Sequence, residues 1–209
     1  MSDDAWQFDC LRPHFYDVVS IDFPWDFETY SNVGNTKGAV AHYGLMSLEA
    51  IKTFRVHELA KPDCLLLMWG CEWMRPSDRE SVMTACGFTY KSTMIWRKVT
   101  ASGKPRMGTG YRVRTMHEPV HIGTIGRPQH RAFPSIFDGV AREHSRKPEE
   151  FFAMVEKHTP GATRADVFSR QLRPGWDGFG DQLDKFAVLE AAEFACFAPR
   201  ISPSTTCAP

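Results

Sequence analysis

Short apolar runs alternate with amphipathic stretches along most of the 209-residue chain. Five of these runs are rich in β-branched, leucine or aromatic residues and are bounded by turn residues, a pattern typical of strands buried in a sheet. The hydrophobic pattern therefore predicts five strands, at Tyr16–Ile21, Cys64–Trp69, Phe88–Val99, Glu118–Ile125 and Ala165–Phe168.

Three stretches between these runs carry the signals of helices. Residues 47–60 repeat apolar side chains at a spacing that suits a helix. Residues 76–87 open on Pro76, and residues 147–161 have Pro148 followed by two acids, both of which suit a first helical turn. Strands that alternate with helices predict an α/β fold, with a largely parallel sheet covered by helices on both faces.

The length of the chain predicts one domain, since domains commonly contain about 100–200 residues. We place this domain at residues 1–184 and expect residues 185–209 to form a partly disordered C-terminal extension, because the final "RISPSTTCAP" has nothing to bury. No apolar run approaches the ~18 residues that span a bilayer, and the acidic start lacks the basic region of a signal peptide. The sequence therefore predicts a cytoplasmic protein without a membrane partner.

The formal net charge is zero, but positive residues are concentrated between Lys91 and Lys147, where twelve Lys and Arg stand against three acids. A solvated surface explains such a segment as readily as a binding surface does. Within it, Thr100–Arg114 is basic and rich in glycine. This stretch and the polar residues 28–41 are predicted to be mobile loops, and loops of this length often serve as lids or bind ligands.

Neither the cysteines nor the histidines predict a metal centre. The six cysteines include no CxxC pair, so we expect reduced and mostly buried thiols. The pattern "HEPVH" at His117–His121 matches a zinc-protease motif, but that motif needs a helix, which Pro119 would break. We therefore expect a strand at this position and no bound metal.

The first predicted strand ends in a distinctive group of residues, Asp22, Phe23, Pro24 and Trp25. In open α/β sheets, the carboxyl ends of strands meet at the crevice where ligands bind. A carboxylate can accept hydrogen bonds from an exocyclic amine, a proline-stiffened turn can direct a backbone carbonyl to the same amine, and an indole can stack on a base. The group is suited to hold a purine amine, although a strand-end turn with a core tryptophan explains it equally well.

Seven blocks of the sequence, taken in order, resemble the adenine-amino methyltransferases related to the catalytic subunit of the messenger-RNA adenosine methyltransferase. The resemblance extends from about Phe8 to Asp184 and covers nearly the whole chain. The blocks are "IDFPWDF", "HYGLMSLEAI", "LLLMWGCEW", "TMIWRK", "GTGYRVRTMHEPVHIGTIGRP", "HSRKPEEFFAMVEKHTPG" and "ADVFSRQLRPGWDGFGDQLD".

This resemblance implies a fold, a methyl donor and a reaction. The fold is a class I, Rossmann-like methyltransferase sheet, permuted so that the catalytic motif precedes the cofactor-binding strand, and the donor is S-adenosylmethionine. Asp22 is matched to the catalytic acid, Phe23 supplies a backbone carbonyl, Pro24 fixes the turn and Trp25 stacks on the target base. Transfer would be direct, so catalysis depends mainly on orientation and electrostatics.

The resemblance also implies a set of cofactor contacts. Lys147 is matched to a lysine that meets the methionine carboxylate of the donor, which is sound chemistry for an ammonium group. A surface lysine before a helix is the alternative explanation. Arg170 is matched to a cofactor-contacting arginine, and Asp181 and Gln182 to positions that bind ribose and adenine. The residues expected to bind the cofactor are Asp9, Cys10, Asp22, Lys147, Arg170, Asp181 and Gln182.

For the substrate, the resemblance implies a base pocket and a basic loop. Tyr43 and Glu118 are matched to residues around the target base, although both could equally be packing residues. Phosphate contacts would come from Lys104, Arg106, Arg112 and Arg114 and would set affinity without reading sequence. The expected partner is nucleic acid, with DNA favoured over RNA. The protein could act as a monomer, as a homodimer or with a sister subunit.

Phe23 departs from the usual family motif, which has proline at this position. The carbonyl survives the change, but the fixed φ of proline and its restriction on Asp22 are lost. Some family members with a degenerate motif serve only as partners. A catalytically inert scaffold that binds nucleic acid is therefore the alternative to an enzyme.

Overall fold

A seven-stranded sheet forms the centre of the protein. The computed structural model describes residues 6–25, 45–72, 74–108, 112–143 and 145–186. Its strands are β1 (Tyr16–Ile21), β2 (Ala60–Trp69), β3 (Thr89–Val99), β4 (His117–Ile125), β5 (Ile136–Val140), β6 (Arg164–Val167) and β7 (Asp177–Phe179). Its helices are α1 (Leu48–Ile51), α2 (Pro76–Ala85) and α3 (Glu149–His158), with a 3-10 helix at Val56–Leu59.

The strand order is β5-β3-β4-β2-β1-β6-β7. β1 pairs in parallel with β2 and with β6, β6 pairs in parallel with β7, and β3 pairs in parallel with β5. Of the seven described strands, β4 alone runs in the opposite direction, between β2 and β3. The carboxyl ends of β1, β2 and β6 therefore lie next to one another at one edge of the sheet.

Alternate residues of β2 supply the cores on the two faces of the sheet. Leu66 and Met68 belong to a cluster with the buried residues of α1 and α2, whereas Leu65 and Leu67 belong to a cluster with the buried face of α3. A strand buried on both faces reads as a continuous apolar run, as the "CLLLMW" segment does. The predicted mostly parallel sheet with helices on both faces is confirmed.

The five predicted strands all form, but β5 and β7 were missed. β5 has Asp138 and Gly139 in its middle, and β7 is only three residues long with Gly178 at its centre. Glycine weakens a strand pattern, and it is required at position 139, because a Cβ there would lie 2.7 Å from both Pro148 Cβ and Trp96 Nε1.

The prediction of one helix over residues 47–60 is wrong. Ser47 does cap a helix, since its hydroxyl accepts from the Ala50 N–H, but α1 ends at Ile51. The Thr53 hydroxyl donates to the Ala50 carbonyl at 2.7 Å, which offers that carbonyl a partner outside the helical ladder. Phe54 then packs against the rings of Phe23 and Phe168, and this packing turns the chain toward the sheet.

Several sequence predictions fall on residues outside the described ranges. These are the loop at residues 28–41, part of the loop at Thr100–Arg114, and all of the C-terminal extension after Phe186. Cys64 and Cys86 are buried thiols, and burial raises the pKa of each to about 12. No helix in the described part of the chain is long and apolar enough to cross a membrane.

Candidate active site

Strand β1 delivers Asp22 to the carboxyl edge of the sheet. The Asp22 N–H donates to the Val167 carbonyl at 3.2 Å, so pairing with β6 extends one residue past the end of the strand. The chain then turns sharply, and the Trp25 N–H donates to the Phe23 carbonyl at 2.9 Å across Pro24. Such a three-residue turn is common at strand ends. It places a carboxylate and a backbone carbonyl side by side at the edge of the sheet.

Asp22 lies at one end of a row of four alternating charges. Lys147 Nζ is 3.0 Å from an Asp22 carboxylate oxygen and 3.1 Å from a Glu118 carboxylate oxygen. On its other side, Glu118 accepts from Lys98 Nζ at 2.7 Å. The row joins four parts of the fold: the end of β1, the segment that leads into α3, the start of β4 and the end of β3.

The pKa shifts within this row follow from burial and charge. The Asp22 side chain is only 22% exposed, and burial together with the nearby Glu118 raises its pKa although Lys147 opposes the rise. Burial also disfavours the charged forms of Glu118 and Lys147, but opposite charges outweigh it. Lys147 and Lys98 lower the pKa of Glu118, and Asp22 and Glu118 raise that of Lys147. Lys147 is therefore the cation that favours the ionised forms of both carboxylates against their burial.

Aromatic rings pack around the residues of the turn. Trp25 is 8% exposed, its Nε1 donates to the Trp69 carbonyl at 3.2 Å, and its ring meets the Phe23 ring edge-on at 5.4 Å. Phe23 is 2% exposed and packs against Phe54 and Phe168. The side chain that departs from the family motif thus fills a position in the core, which gives a physical reason for its presence.

A cleft opens beside Asp22 and Lys147. Two non-glycine residues that line it, Ser145 and Phe168, have left-handed backbones, with φ of 62° and 59°. Strained backbone of this kind persists where the surrounding structure fixes it, often at functional sites. The cleft is lined by Asp22, Ser145, Arg146, Lys147, Phe152, Asp166, Phe168, Ser169, Arg170, Gln171, Arg173 and Phe186.

Sequence reasoning missed a second acid at this edge of the sheet. Asp166 in β6 is 7% exposed and lines the cleft; burial raises its pKa, while the nearby guanidinium of Arg173 opposes the rise. Arg173 lies 3.4 Å from Asp166, 3.1 Å from Glu149, and over the Phe152 ring at 3.7 Å. An acid near the end of a buried strand was the signal that identified Asp22, and the same signal was present in "ADVF".

The structure brings most of the predicted cofactor residues together. Asp22, Lys147 and Arg170 line the cleft, and Arg170 Nε donates to the Gln182 side chain at 2.9 Å. Cys10 Sγ lies 3.7 Å from the carbonyl of Gly178 in β7. The two remaining predicted residues, Asp9 and Asp181, are exposed and are not among the described residues that line the cleft.

Of the predicted substrate residues, Glu118 lies in the charged row and the four basic residues are exposed. Five other positive residues between Lys91 and Lys147 are neutralised by carboxylates, whereas these four form no ion pair within the described ranges. Tyr43 lies outside the described residues. The four exposed positive side chains are Lys104, Arg106, Arg112 and Arg114.

The two histidines of the "HEPVH" pattern lie on β4, so the prediction of a strand is confirmed. Buried His121 makes a 2.8 Å hydrogen bond with the Thr93 hydroxyl, and burial, reinforced by Arg79, lowers its pKa to about 4. Within the described ranges, no group of three or more His, Cys, Asp or Glu side chains is placed to hold a metal ion.

Comparison with known proteins gives one family. Residues 16–182 match the family model described as MT-A70. An Arabidopsis thaliana protein named "N(6)-adenosine-methyltransferase MT-A70-like" is 27% identical over 195 residues, an alignment that covers 89% of this chain and 27% of that protein.

Two human proteins resemble this chain to a similar extent. The protein named "N(6)-adenosine-methyltransferase catalytic subunit METTL3" is 26% identical over 192 residues, covering 88% of this chain and 31% of its own length. The protein named "N(6)-adenine-specific methyltransferase METTL4" is 22% identical over 204 residues, with coverages of 87% and 41%. The chain thus spans well under half the length of these relatives.

Proposed function

The chain belongs to the MT-A70 family, and from that premise we propose that it transfers a methyl group from S-adenosylmethionine to the exocyclic amino nitrogen of adenine in nucleic acid. The observation that carries this proposal is the position of Asp22. This carboxylate lies at the carboxyl end of a buried strand, 3.0 Å from the Lys147 ammonium and beside a cleft. A hydrogen-bond acceptor fixed at the rim of a cleft is what orientation of an amine requires.

The charged side chains that line the cleft complement the charges of the proposed cofactor. S-adenosylmethionine, when bound, supplies an electrophilic methyl group on a sulfonium and carries a free carboxylate. Arg146, Lys147 and Arg170 offer cations for the carboxylate, and Asp22 and Asp166 offer negative charge for the sulfonium. An ammonium group has three donors, and the two carboxylates beside Lys147 engage two of them, which leaves one for an incoming anion.

The groups at the turn have separate tasks. Ionised Asp22 would accept one hydrogen of the adenine amine. The Phe23 carbonyl has two lone pairs, of which the Trp25 N–H engages one, so the other can accept the second hydrogen. Holding both hydrogens turns the nitrogen lone pair out of conjugation with the ring. Trp25 would present the limited exposed part of its indole to the base.

We assign nucleic-acid binding to Lys104, Arg106, Arg112 and Arg114. Their exposure and their lack of carboxylate partners within the described ranges support this assignment. Lys98 lies where their loop leaves β3, and its backbone carbonyl accepts from the Arg106 N–H at 2.8 Å. The loop is therefore connected through Lys98 and Glu118 to the charged row that holds Asp22. We favour DNA over RNA as the substrate.

The test is transfer of a labelled methyl group from S-adenosylmethionine into matched DNA and RNA oligonucleotides, followed by nucleoside mass spectrometry. We expect label in N6-methyladenine, and the better substrate identifies the nucleic acid. Binding of both cofactor and nucleic acid without any transfer would instead indicate an inert scaffold. Sedimentation of the protein with and without the oligonucleotide would show whether it acts as a monomer or a homodimer.

A further inference from the structure

A stack of three aromatic rings lies at the end of α3 that is remote from Asp22. The Phe133 ring stacks on the His158 ring at a centroid distance of 5.1 Å and an interplanar angle of 18°. The His130 ring stacks on Phe133 at 5.4 Å and 23°. Three near-parallel rings in a column are an arrangement to which a nucleic-acid base can be added, because every base has a flat π-face.

The stack is anchored at its inner end and open at its outer end. The Arg131 N–H donates to the His158 carbonyl at 2.9 Å, which fixes the loop to the last turn of the helix. Phe133 is half-buried and packs against the core beneath α3. His130, at the outer end, is exposed. The column therefore ends in an imidazole that solvent can reach.

Two exposed, positively charged side chains lie beside the column. Lys157 and Arg131 are exposed, and together with His130 they lie close enough to His158 to reinforce the effect of burial, which lowers the pKa of His158. The nearest acid on the helix, Glu156, accepts from Trp176 Nε1 at 2.8 Å. Cationic side chains around a flat ring are the combination that binds single-stranded nucleic acid.

The distance from this column to Asp22 sets the register of a bound strand. Lys147, which contacts Asp22, lies two residues before α3, and His158 is the last of its 10 residues. A helix of this length spans about 15 Å. A strand with the duplex spacing of about 3.4 Å per nucleotide would cross that distance in about four or five nucleotides, and an unstacked single strand, which is longer per nucleotide, would cross it in fewer.

We propose that an unpaired base within about five nucleotides of the target adenine stacks on His130, with Arg131 and Lys157 beside its phosphates. The proposal rests on the proposed function only in taking nucleic acid as the substrate. The stacked base extends the bound strand along α3, away from the basic loop. The contact is tolerant of sequence, because stacking does not read base edges.

The experiment is an abasic scan read by fluorescence anisotropy. The probe is a labelled single-stranded oligothymidylate with one central adenine and about six nucleotides on each side, enough to pass the column. Each position in turn loses its base, and each probe is titrated with the parent protein and with His130→Ala. Stacking of one base is worth ~1–3 kcal/mol, so we expect a loss of about 5- to 150-fold at one position in the parent.

The same abasic position should have no further effect in His130→Ala, which should already bind the intact probe as weakly as the parent binds the abasic one. His130→Tyr keeps a flat ring and should retain the affinity. His57→Ala removes another exposed histidine and serves as the matched control. A probe that ends at the adenine on the side where the scan finds the dependent position should bind the parent and His130→Ala equally.

A scan in which no position depends on His130, or a probe that does not bind at all, would overturn the proposal. Equal melting temperatures of the parent and His130→Ala are needed to show that a weaker affinity is not caused by unfolding. Methyl transfer is measured separately on the parent. Transfer without a His130-dependent position would refute the stack alone, and binding with such a position but without transfer would refute the proposed chemistry alone.

Discussion

Replacement of Lys147 by methionine removes the cation between Asp22 and Glu118 while nearly keeping the shape of the side chain. At an effective dielectric constant of about 20, each ion pair of Lys147, 3.0 and 3.1 Å long, is worth about 5–6 kcal/mol of Coulomb attraction. Desolvation offsets much of this attraction. Breaking a buried pair typically destabilises a protein by about 3–5 kcal/mol, because the remaining charge is uncompensated. We expect a loss of that size in the free energy of unfolding at pH 7.

The loss should depend on pH. Glu118 keeps its pairing with Lys98, so the stranded charge in Lys147→Met is mainly Asp22. The pKa of Asp22 is already raised by burial above its ordinary value of 3.8, and without Lys147 it rises further. A carboxyl group whose pKa is higher in the folded state than in the unfolded state disfavours folding once the pH exceeds its pKa in the unfolded state. Protonation of the group removes this cost as the pH falls. The deficit of the variant should therefore shrink between pH 7 and pH 5.

Urea unfolding of the parent and the variant across this pH range measures the deficit. Lys52→Met is the matched control, because Lys52 forms a 2.8 Å pair with a Glu49 side chain that is 81% exposed, and such pairs contribute about 0–1 kcal/mol. Asp22→Asn in the Lys147→Met background should restore part of the lost stability. The reasoning is refuted if Lys147→Met costs no more than Lys52→Met, or if its cost is the same at pH 5 and pH 7.

Three further predictions concern the turn and the basic loop. Trp25→Phe keeps a ring but loses the hydrogen bond to the Trp69 carbonyl, so calorimetry should show a loss of about 0.5–1.5 kcal/mol in stability and a weaker affinity for the oligonucleotide. Phe23→Pro removes a ring that packs against three others, so thermal unfolding should show a loss of stability close to that of a core Phe→Ala change, about 3–5 kcal/mol. An unchanged melting temperature would contradict this. Arg112→Ala and Arg114→Ala should each lower the salt slope of nucleic-acid binding by about one unit without changing cofactor affinity, and slopes equal to that of the parent would place both residues away from the phosphates.

Much of the sheet could be predicted from the sequence, because its central strands are buried on both faces. Tyr16–Ile21 was predicted with the observed bounds, since apolar residues fill the strand and Asp22 follows it. β5 could not be found in this way, because its pattern is broken by Gly139, and glycine is needed there for the close approach of Pro148 and Trp96. That contact joins residues far apart in the sequence and leaves no periodic signal.

The residues of the candidate site also differ in how far the sequence could predict them. The acid at the end of β1 is a local feature, and the sequence pointed to it directly. The partners of Lys147 are not local, since Asp22 and Glu118 approach it only once β1 and β4 are placed in the sheet. Asp166 was missed although "ADVF" carries the same local signal as Asp22. Lys98 and Arg173 were missed for the same reason as the partners of Lys147. Each has its role through contacts across the sheet, and sequence spacing does not report such contacts.

The central claim is that the Asp22 carboxylate orients the adenine amine. Single-turnover methyl transfer by the parent and by Asp22→Asn, at saturating cofactor and oligonucleotide, tests it most directly. Asp17→Asn is the matched control, because Asp17 lies on the same strand and pairs with Lys61 at 2.8 Å near the opposite end of β1. We predict a rate loss on the order of 10²–10³ for Asp22→Asn with retained binding, and an unchanged rate for Asp17→Asn. Equal rates for the parent and Asp22→Asn would contradict the account.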